Sequence, residues 1–179
     1  MMTEPRAPIL LALFEPDIAQ NAGAMMRTCA CLGVEAAIIE PAGFRITDSR
    51  FRRAAMDYVN ALTIKTHDSW DSFAAWLASS HRRLVLLTTK GETSLWEFAF
   101  REGDIILVGR ESAGVPESVM ASADVRLRIP IQPQLRSLNV GIAATMAITE
   151  ALRQTGRLPG ARTRTGIPGG TGSVTTTPC

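Results

Sequence analysis

The sequence predicts an α/β fold built on an open, mostly parallel sheet with helices on both faces. Three observations lead there. Short apolar runs alternate with amphipathic stretches along the chain, several of those runs are apolar without alternation, and three polar islands each follow an apolar run. A strand covered on both faces has no polar side to show, so continuous apolar runs belong to buried parallel sheets.

The strand candidates are Ile9–Phe14, Val34–Ile39, Leu84–Thr89, Asp104–Gly109 and Val125–Ile129. Between the first two, a helix is expected from about Asn21 to Leu32, with Asn21 as N-cap, Met25, Cys29 and Leu32 on one face and Gly33 just past the end. A second helix follows Asp48, and a third follows Asp68 or Ser69 with Trp70, Phe73 and Leu77 at helical spacing. Pro116 suits the first position of a short helix. The last helix is expected from Asn139 to about Arg153, where Val140, Ala143, Ala144, Ala147, Ile148, Ala151 and Leu152 form a broad apolar stripe ending near Gly156. From there to Cys179 the chain holds six of its 14 glycines and almost no large apolar residue. Residues 1–155 therefore read as one domain and 156–179 as a flexible tail.

Composition bounds the function. The 179 residues are 46% hydrophobic and 20% charged, with net charge +2 and mean hydropathy +0.09. Wholesale disorder and a collagen-like or coiled-coil chain are excluded by that balance. All 17 acidic residues lie within residues 1–150, so the excess of basic charge sits at the C-terminal end. Lysine occurs only at Lys65 and Lys90, and the other 17 basic residues are arginines, which suit bidentate phosphate contacts. Cys29 and Cys31 fall on different sides of a helix, so free thiols in a reducing compartment are expected. His67 and His81 lack clustered ligand partners, so no metal is expected. No run is long enough to span a bilayer and the first residues lack a signal-peptide pattern, so no membrane and a cytoplasmic location are expected.

Familiar nucleotide motifs fail. The first strand-to-helix turn offers only Gly23, too little for a dinucleotide fingerprint, and Val115 and Pro116 replace the Lys and Ser or Thr of a P-loop. No nucleophile elbow or Ser, His and Asp set is visible. What remains is three polar islands at the C-terminal ends of strands: Asn21–Arg27, Gly109–Val119, and Ile129–Ala144. Taken singly, each also reads as ordinary structure. Asn21 and Asn139 could be plain caps, Arg27 a surface arginine, and the glycine loop any strand-to-helix turn.

Together, N-A-G-A-M-M-R (Asn21–Arg27), L-V-G-R-E-S-A-G-V-P (Leu107–Pro116) and I-P-I-Q-P-Q-L-R-S-L-N-V-G-I-A (Ile129–Ala143) resemble the three motifs of the SpoU branch of the SPOUT RNA methyltransferases. The resemblance covers about residues 8–155. It implies S-adenosylmethionine as methyl donor, a ribose 2′-hydroxyl as acceptor, no metal, and a C-terminal trefoil knot, where periodicity alone leads to a plain doubly wound sheet. The opening L-F-E-P and the segment Phe44–Tyr58 look most like the branch acting on the tRNA wobble nucleotide. In two places, GRESAGVP and NVGIA, the chain departs from that branch's usual wording.

By resemblance, Leu87, Thr88, Gly109, Ile129, Ile131, Ser137 and Leu138 hold the donor. Arg27, Asn139 and Glu111 are the catalytic candidates, and Glu111 is the one carboxylate in the three islands suited to accepting a proton. A guanidinium stays protonated, so Arg27 is expected to stabilise charge on the attacking oxygen or to hold the adjacent phosphate. Asn21, Arg45, Arg50 and Arg53 are candidates for substrate binding, with Arg52, Phe51 and Tyr58 completing a possible phosphate-and-stacking surface. The partners implied are tRNA and a second copy of the chain, in a homodimer. The alternatives are a related enzyme acting on another tRNA or rRNA ribose, and a non-catalytic RNA-binding protein with the same fold.

Overall fold

The computed structural model describes residues 8–160, with the side chains of residues 59–61 excluded. Seven strands, β1 (Leu10–Phe14), β2 (Glu35–Ile39), β3 (Ile64–His67), β4 (Leu84–Leu87), β5 (Thr93–Ser94), β6 (Ile105–Val108) and β7 (Val125–Arg128), form one sheet in the order β3-β2-β1-β6-β4-β7-β5. Every pairing is parallel. Five of these are the expected apolar runs. β3 escapes sequence reading because Ile-Lys-Thr-His is a half-polar strand at the sheet edge, and β5 because it is two residues long.

Side chains alternate across the pleat, which explains why both faces needed apolar residues. Leu11, Leu13, Ala36, Ile38, Val85, Ile106 and Val108 face a core completed by helices α1 (Ala19–Leu32), α2 (Ser49–Ala55) and α5 (Val140–Thr155). Their neighbours Leu10, Ala12, Phe14, Ala37, Ile39, Leu84, Leu86, Ile105 and Leu107 face α3 (Trp70–Ser80) and α4 (Glu117–Ala121) through Phe73, Val119 and Met120. A 3₁₀ segment, Met56–Ala61, follows α2.

Two helix starts differ from expectation. α1 begins at Ala19 after Ile18, which makes no side-chain cap, so Asn21 is not a cap and its carboxamide is available to other partners. Pro116 occupies the N-cap position of α4, one residue before the first helical position. The other starts follow the sequence signals. Asp48 accepts from the Arg50 N–H, Ser69 from the Ser72 N–H, and Asn139 from the N–H groups of Gly141 and Ile142. α5 ends at Thr155 with Gly156 left-handed at φ 70°. Of the expected tail, residues 161–179 lie outside the described residues.

The sheet reverses direction of growth between β1 and β6, with β2 and β3 on one side and β4, β7 and β5 on the other. Loops after β1, β6, β4 and β7 therefore gather at one sheet edge, the place where open α/β sheets bind ligands. β7 lies between β4 and β5, so the Thr88–Glu92 connection must cross its C-terminal end. That crossing is close. The Thr88 N–H donates to Leu127 O at 2.8 Å, and a Cβ added at Gly91 would stand 2.3 Å from the Leu127 carbonyl carbon.

Candidate active site

A cavity of about 460 Å³ opens at this edge, within the size range of small-molecule sites. Its walls come from the start of α1, the loops after β4, β6 and β7, and the start of α5. Leu87, Thr88, Gly109, Ile129, Ile131, Ser137 and Leu138 all line it, as do Asn21, Glu111 and Asn139. The three islands, far apart in sequence, meet here.

The β6–α4 loop is folded tightly on itself. Arg110 and Gly114 exchange both backbone hydrogen bonds, at 3.0 and 2.9 Å. Gly114 sits at φ 67°, and a Cβ on Gly109 would stand 2.6 Å from the Gly114 carbonyl carbon, so the loop needs both glycines. This turn carries Glu111 toward α1.

A chain of hydrogen bonds then joins the islands. Asn139 Nδ2 donates to Asn21 Oδ1 at 3.1 Å, and Asn21 Nδ2 donates to Glu111 Oε1 at 3.1 Å. The Asp17 N–H donates to Glu111 Oε2 at 3.2 Å, and the Glu111 N–H donates back to Asp17 Oδ1 at 3.1 Å. Ser112 Oγ donates to Asp17 Oδ2. Asp17 is held down at about 2, chiefly by the contact between its carboxyl and that of Glu111, while burial first and then the same carboxyl contact push Glu111 up.

Arg110 also lines the cavity, and sequence reading passed over it. Its guanidinium pairs with Glu15 at 3.0 Å and donates from Nε to the Glu15 carbonyl at 3.3 Å. Glu15 has φ 41°, a conformation that favours glycine, and its N–H donates to Ile39 O at 2.9 Å. A non-glycine residue held there by several partners marks a constrained site edge. The available signal was a cation directly after the strand-ending Gly109. Asp17 was missed too, because nothing local links it to Glu111.

The remaining candidates lie elsewhere. Arg27 is outside the cavity lining, on an exposed side of α1 with its guanidinium 5.5 Å from the Tyr58 ring centroid. Arg45, Arg50 and Arg53 are exposed around α2, and Arg50 is tied to Asp48 at 3.0 Å. Phe51 is buried and stacks on Phe44 at 5.5 Å, so it is a core residue and offers no stacking surface, whereas Tyr58 stays exposed. Among the described residues no cluster of His, Cys, Asp or Glu could hold a metal ion, and no helix is long and apolar enough to cross a membrane.

Known proteins are similar to this chain in sequence and fold. A relative from Beijerinckia indica named tRNA (cytidine(34)-2′-O)-methyltransferase is 58% identical over 149 residues, covering 83% of this chain and 93% of its own. A solved structure described as "Structural insights into the 2-OH methylation of C/U34 on tRNA" superposes with a TM-score of 0.79 at 40% identity, covering 83% of this chain and 96% of that one. The SpoU methyltransferase AviRb from Streptomyces viridochromogenes, solved with AdoMet, shares the fold at TM-score 0.77 and 23% identity, covering 85% of this chain and 59% of its own. The SpoU rRNA Methylase family matches residues 8–149, the whole span that carries the sheet and the three islands, and the chain belongs to that family.

Proposed function

We propose that this chain transfers a methyl group from S-adenosylmethionine to the ribose 2′-hydroxyl of the wobble nucleotide of tRNA, cytidine or uridine 34. The convergence of all three islands on one cavity, joined by the Asn139–Asn21–Glu111 chain, carries the reading. The names of close relatives support the nucleotide.

The cavity suits the donor. Leu87, Ile129, Ile131 and Leu138 give it apolar walls, while Thr88, Gly109 and Ser137 supply backbone and hydroxyl groups able to read an adenosine. When bound, S-adenosylmethionine supplies an activated sulfonium methyl group. The protein must then align the acceptor hydroxyl and take its proton. Asn139 and Asn21 fix Glu111, the only carboxylate among the cavity-lining residues, for that purpose.

A homodimer fits the exposed apolar residues around the site. Ile18, Leu138 and Ile142 are 41%, 39% and 57% exposed beside the cavity and at the start of α5. A second subunit covering them would also bring in its arginines, which accounts for a role of Arg27 at a cavity its own chain does not direct it toward. Residues 1–155 then form the catalytic unit, the arginine-bearing segment after Gly156 adds to RNA affinity, and a tRNA substrate places the reaction in the cytoplasm.

The test is incubation with labelled donor and unmodified tRNA, followed by nucleoside mass spectrometry of the mapped product. Methylation at position 34 is expected. A label at another tRNA or rRNA ribose would move the assignment within the family, and failure to bind donor in calorimetry would favour a non-catalytic RNA-binding role.

A further inference from the structure

The hydrogen bonds reaching Glu111 can run in only one sense. Asn139 Oδ1 is taken by the N–H groups of Gly141 and Ile142, at 2.9 and 3.2 Å, so Nδ2 is the atom left to face Asn21. Asn21 must meet it with Oδ1, which turns Asn21 Nδ2 onto Glu111 Oε1. The backbone of α5 thus sets the orientation of two side-chain amides and delivers a donor to Glu111. Its second oxygen accepts from the Asp17 N–H. Both oxygens of Asp17 accept as well, from the Glu111 N–H and from Ser112 Oγ. Two carboxyls are clasped together by reciprocal backbone bonds, and only Glu111 lines the cavity.

We propose that Asp17 is a positioning residue that keeps Glu111 basic and oriented, so that Glu111 accepts the proton of the 2′-hydroxyl during methyl transfer. This rests on the methyl-transfer reading above. The balance is simple. As the ribose oxygen forms its bond to the methyl carbon, the carbon–sulfur bond breaks, the sulfonium charge is lost, and the O–H bond breaks with its proton passing to the Glu111 carboxylate. One carboxylate is neutralised as one cation disappears.

The charges around the pair favour this division of labour. Asp17 is held ionised by donors on both oxygens, so its charge makes Glu111 the stronger base of the two, the one that takes up a proton first as the pH falls and is a carboxylate above that point. Burial of Glu111 acts in the same direction. Glu15 and Arg110, the other charges on these two loops, are paired with each other at 3.0 Å. The first charged residue of α1 is Arg27, that of α5 is Glu150, and the loop before α5 carries the exposed Arg136. None of these bonds to Glu111.

Single-turnover methyl transfer measured against pH in wild type, Asp17→Asn, Asp17→Glu and Glu111→Gln separates the roles. Asp17→Asn keeps the shape and removes the charge. Its acid limb should move about one pH unit lower and its plateau should fall roughly tenfold, with donor affinity in calorimetry unchanged. Asp17→Glu should hold the acid limb near that of wild type, and Glu111→Gln should abolish it. A profile for Asp17→Asn that superimposes on wild type would overturn the proposal. A second arm needs no RNA and no Asp17 variant: carbon-13 NMR titration of the wild-type carboxyl groups, with Glu111→Gln used for assignment. Glu111 should titrate above, and Asp17 below, the ordinary carboxylate range, and an ordinary Glu111 would overturn the proposal even if methyl transfer is confirmed. Failure to methylate tRNA with the anomalous titration intact would instead fault the functional reading.

Discussion

Asn139 donates a hydrogen bond to Asn21 across 3.1 Å and 118 positions of sequence, tying the start of α5 to the first turn of α1 at the cavity wall. Asn139 is at once the cap of α5 and the first member of the chain that ends on Glu111.

These two tasks can be separated. Asn139→Ala should lose about 1 kcal/mol of stability through the missing cap, and about a hundredfold in methyl transfer through the released Asn21. Asn139→Asp keeps an accepting oxygen for Gly141 and Ile142 but has no donor for Asn21. Thermal unfolding of Asn139→Asp should therefore stay near wild type while its rate falls like that of the alanine variant. A rate for Asn139→Asp near that of wild type would show that Asn139 acts only as a cap.

The glycine loop is a steric prediction. Gly109→Ala would place a methyl group 2.6 Å from the Gly114 backbone, which cannot yield without opening the Arg110–Gly114 pairing. Donor affinity by calorimetry should drop at least about tenfold. Gly114→Ala, in open space but at φ 67°, should cost less, of the order of 1 kcal/mol from backbone strain. Similar affinities for Gly109→Ala and wild type would argue against the closed loop as part of the site.

Stability should depend on pH through His67. Its Nε2 is buried without a hydrogen-bond partner among the described residues, and its ring packs on Phe73 at 5.2 Å and Trp76 at 5.4 Å. Burial, aided by Lys65, lowers its basicity below the ordinary value of 6.5. The neutral ring is the folded form, so this contribution is complete above pH 6.5 and is lost as the pH falls. Melting temperature should decline as the pH falls below 6.5, and His67→Phe should flatten that part of the profile. An unchanged slope in the variant would assign the acid sensitivity elsewhere.

The proposed dimer can be tested at Ile142, which is 57% exposed. Ile142→Arg should shift sedimentation to a monomer and abolish most methyl transfer, while thermal stability changes little because the side chain is not in the core. An active monomer would sink the shared-site reading.

Much of this molecule was legible in its sequence because local chemistry and tertiary burial asked for the same residues. Runs such as Ile105–Val108 are apolar on both sides since helices cover both sheet faces, and Ser69 and Asn139 cap helices with their own side chains. β3 was not legible because an edge strand needs only one good face, and Lys65 and Thr66 break the pattern. Asn21 was misread as a cap since an asparagine near a helix start carries the same local signature whether it binds its own backbone or a distant partner.

The sequence by itself determined the layered α/β architecture, the positions of the glycine turns, and the donor-binding candidates, all of which depend on short-range pattern or on whole motifs. Only the tertiary structure decided which side chains touch. It clasped Asp17 to Glu111 across 94 residues, gave Arg110 to Glu15, buried Phe51, and turned Arg27 toward Tyr58. The physical reason is the strand order. A sheet that places β6 beside β1 brings two loops together that no local interaction connects, and the raised basicity of Glu111 follows from its burial there and from that neighbour.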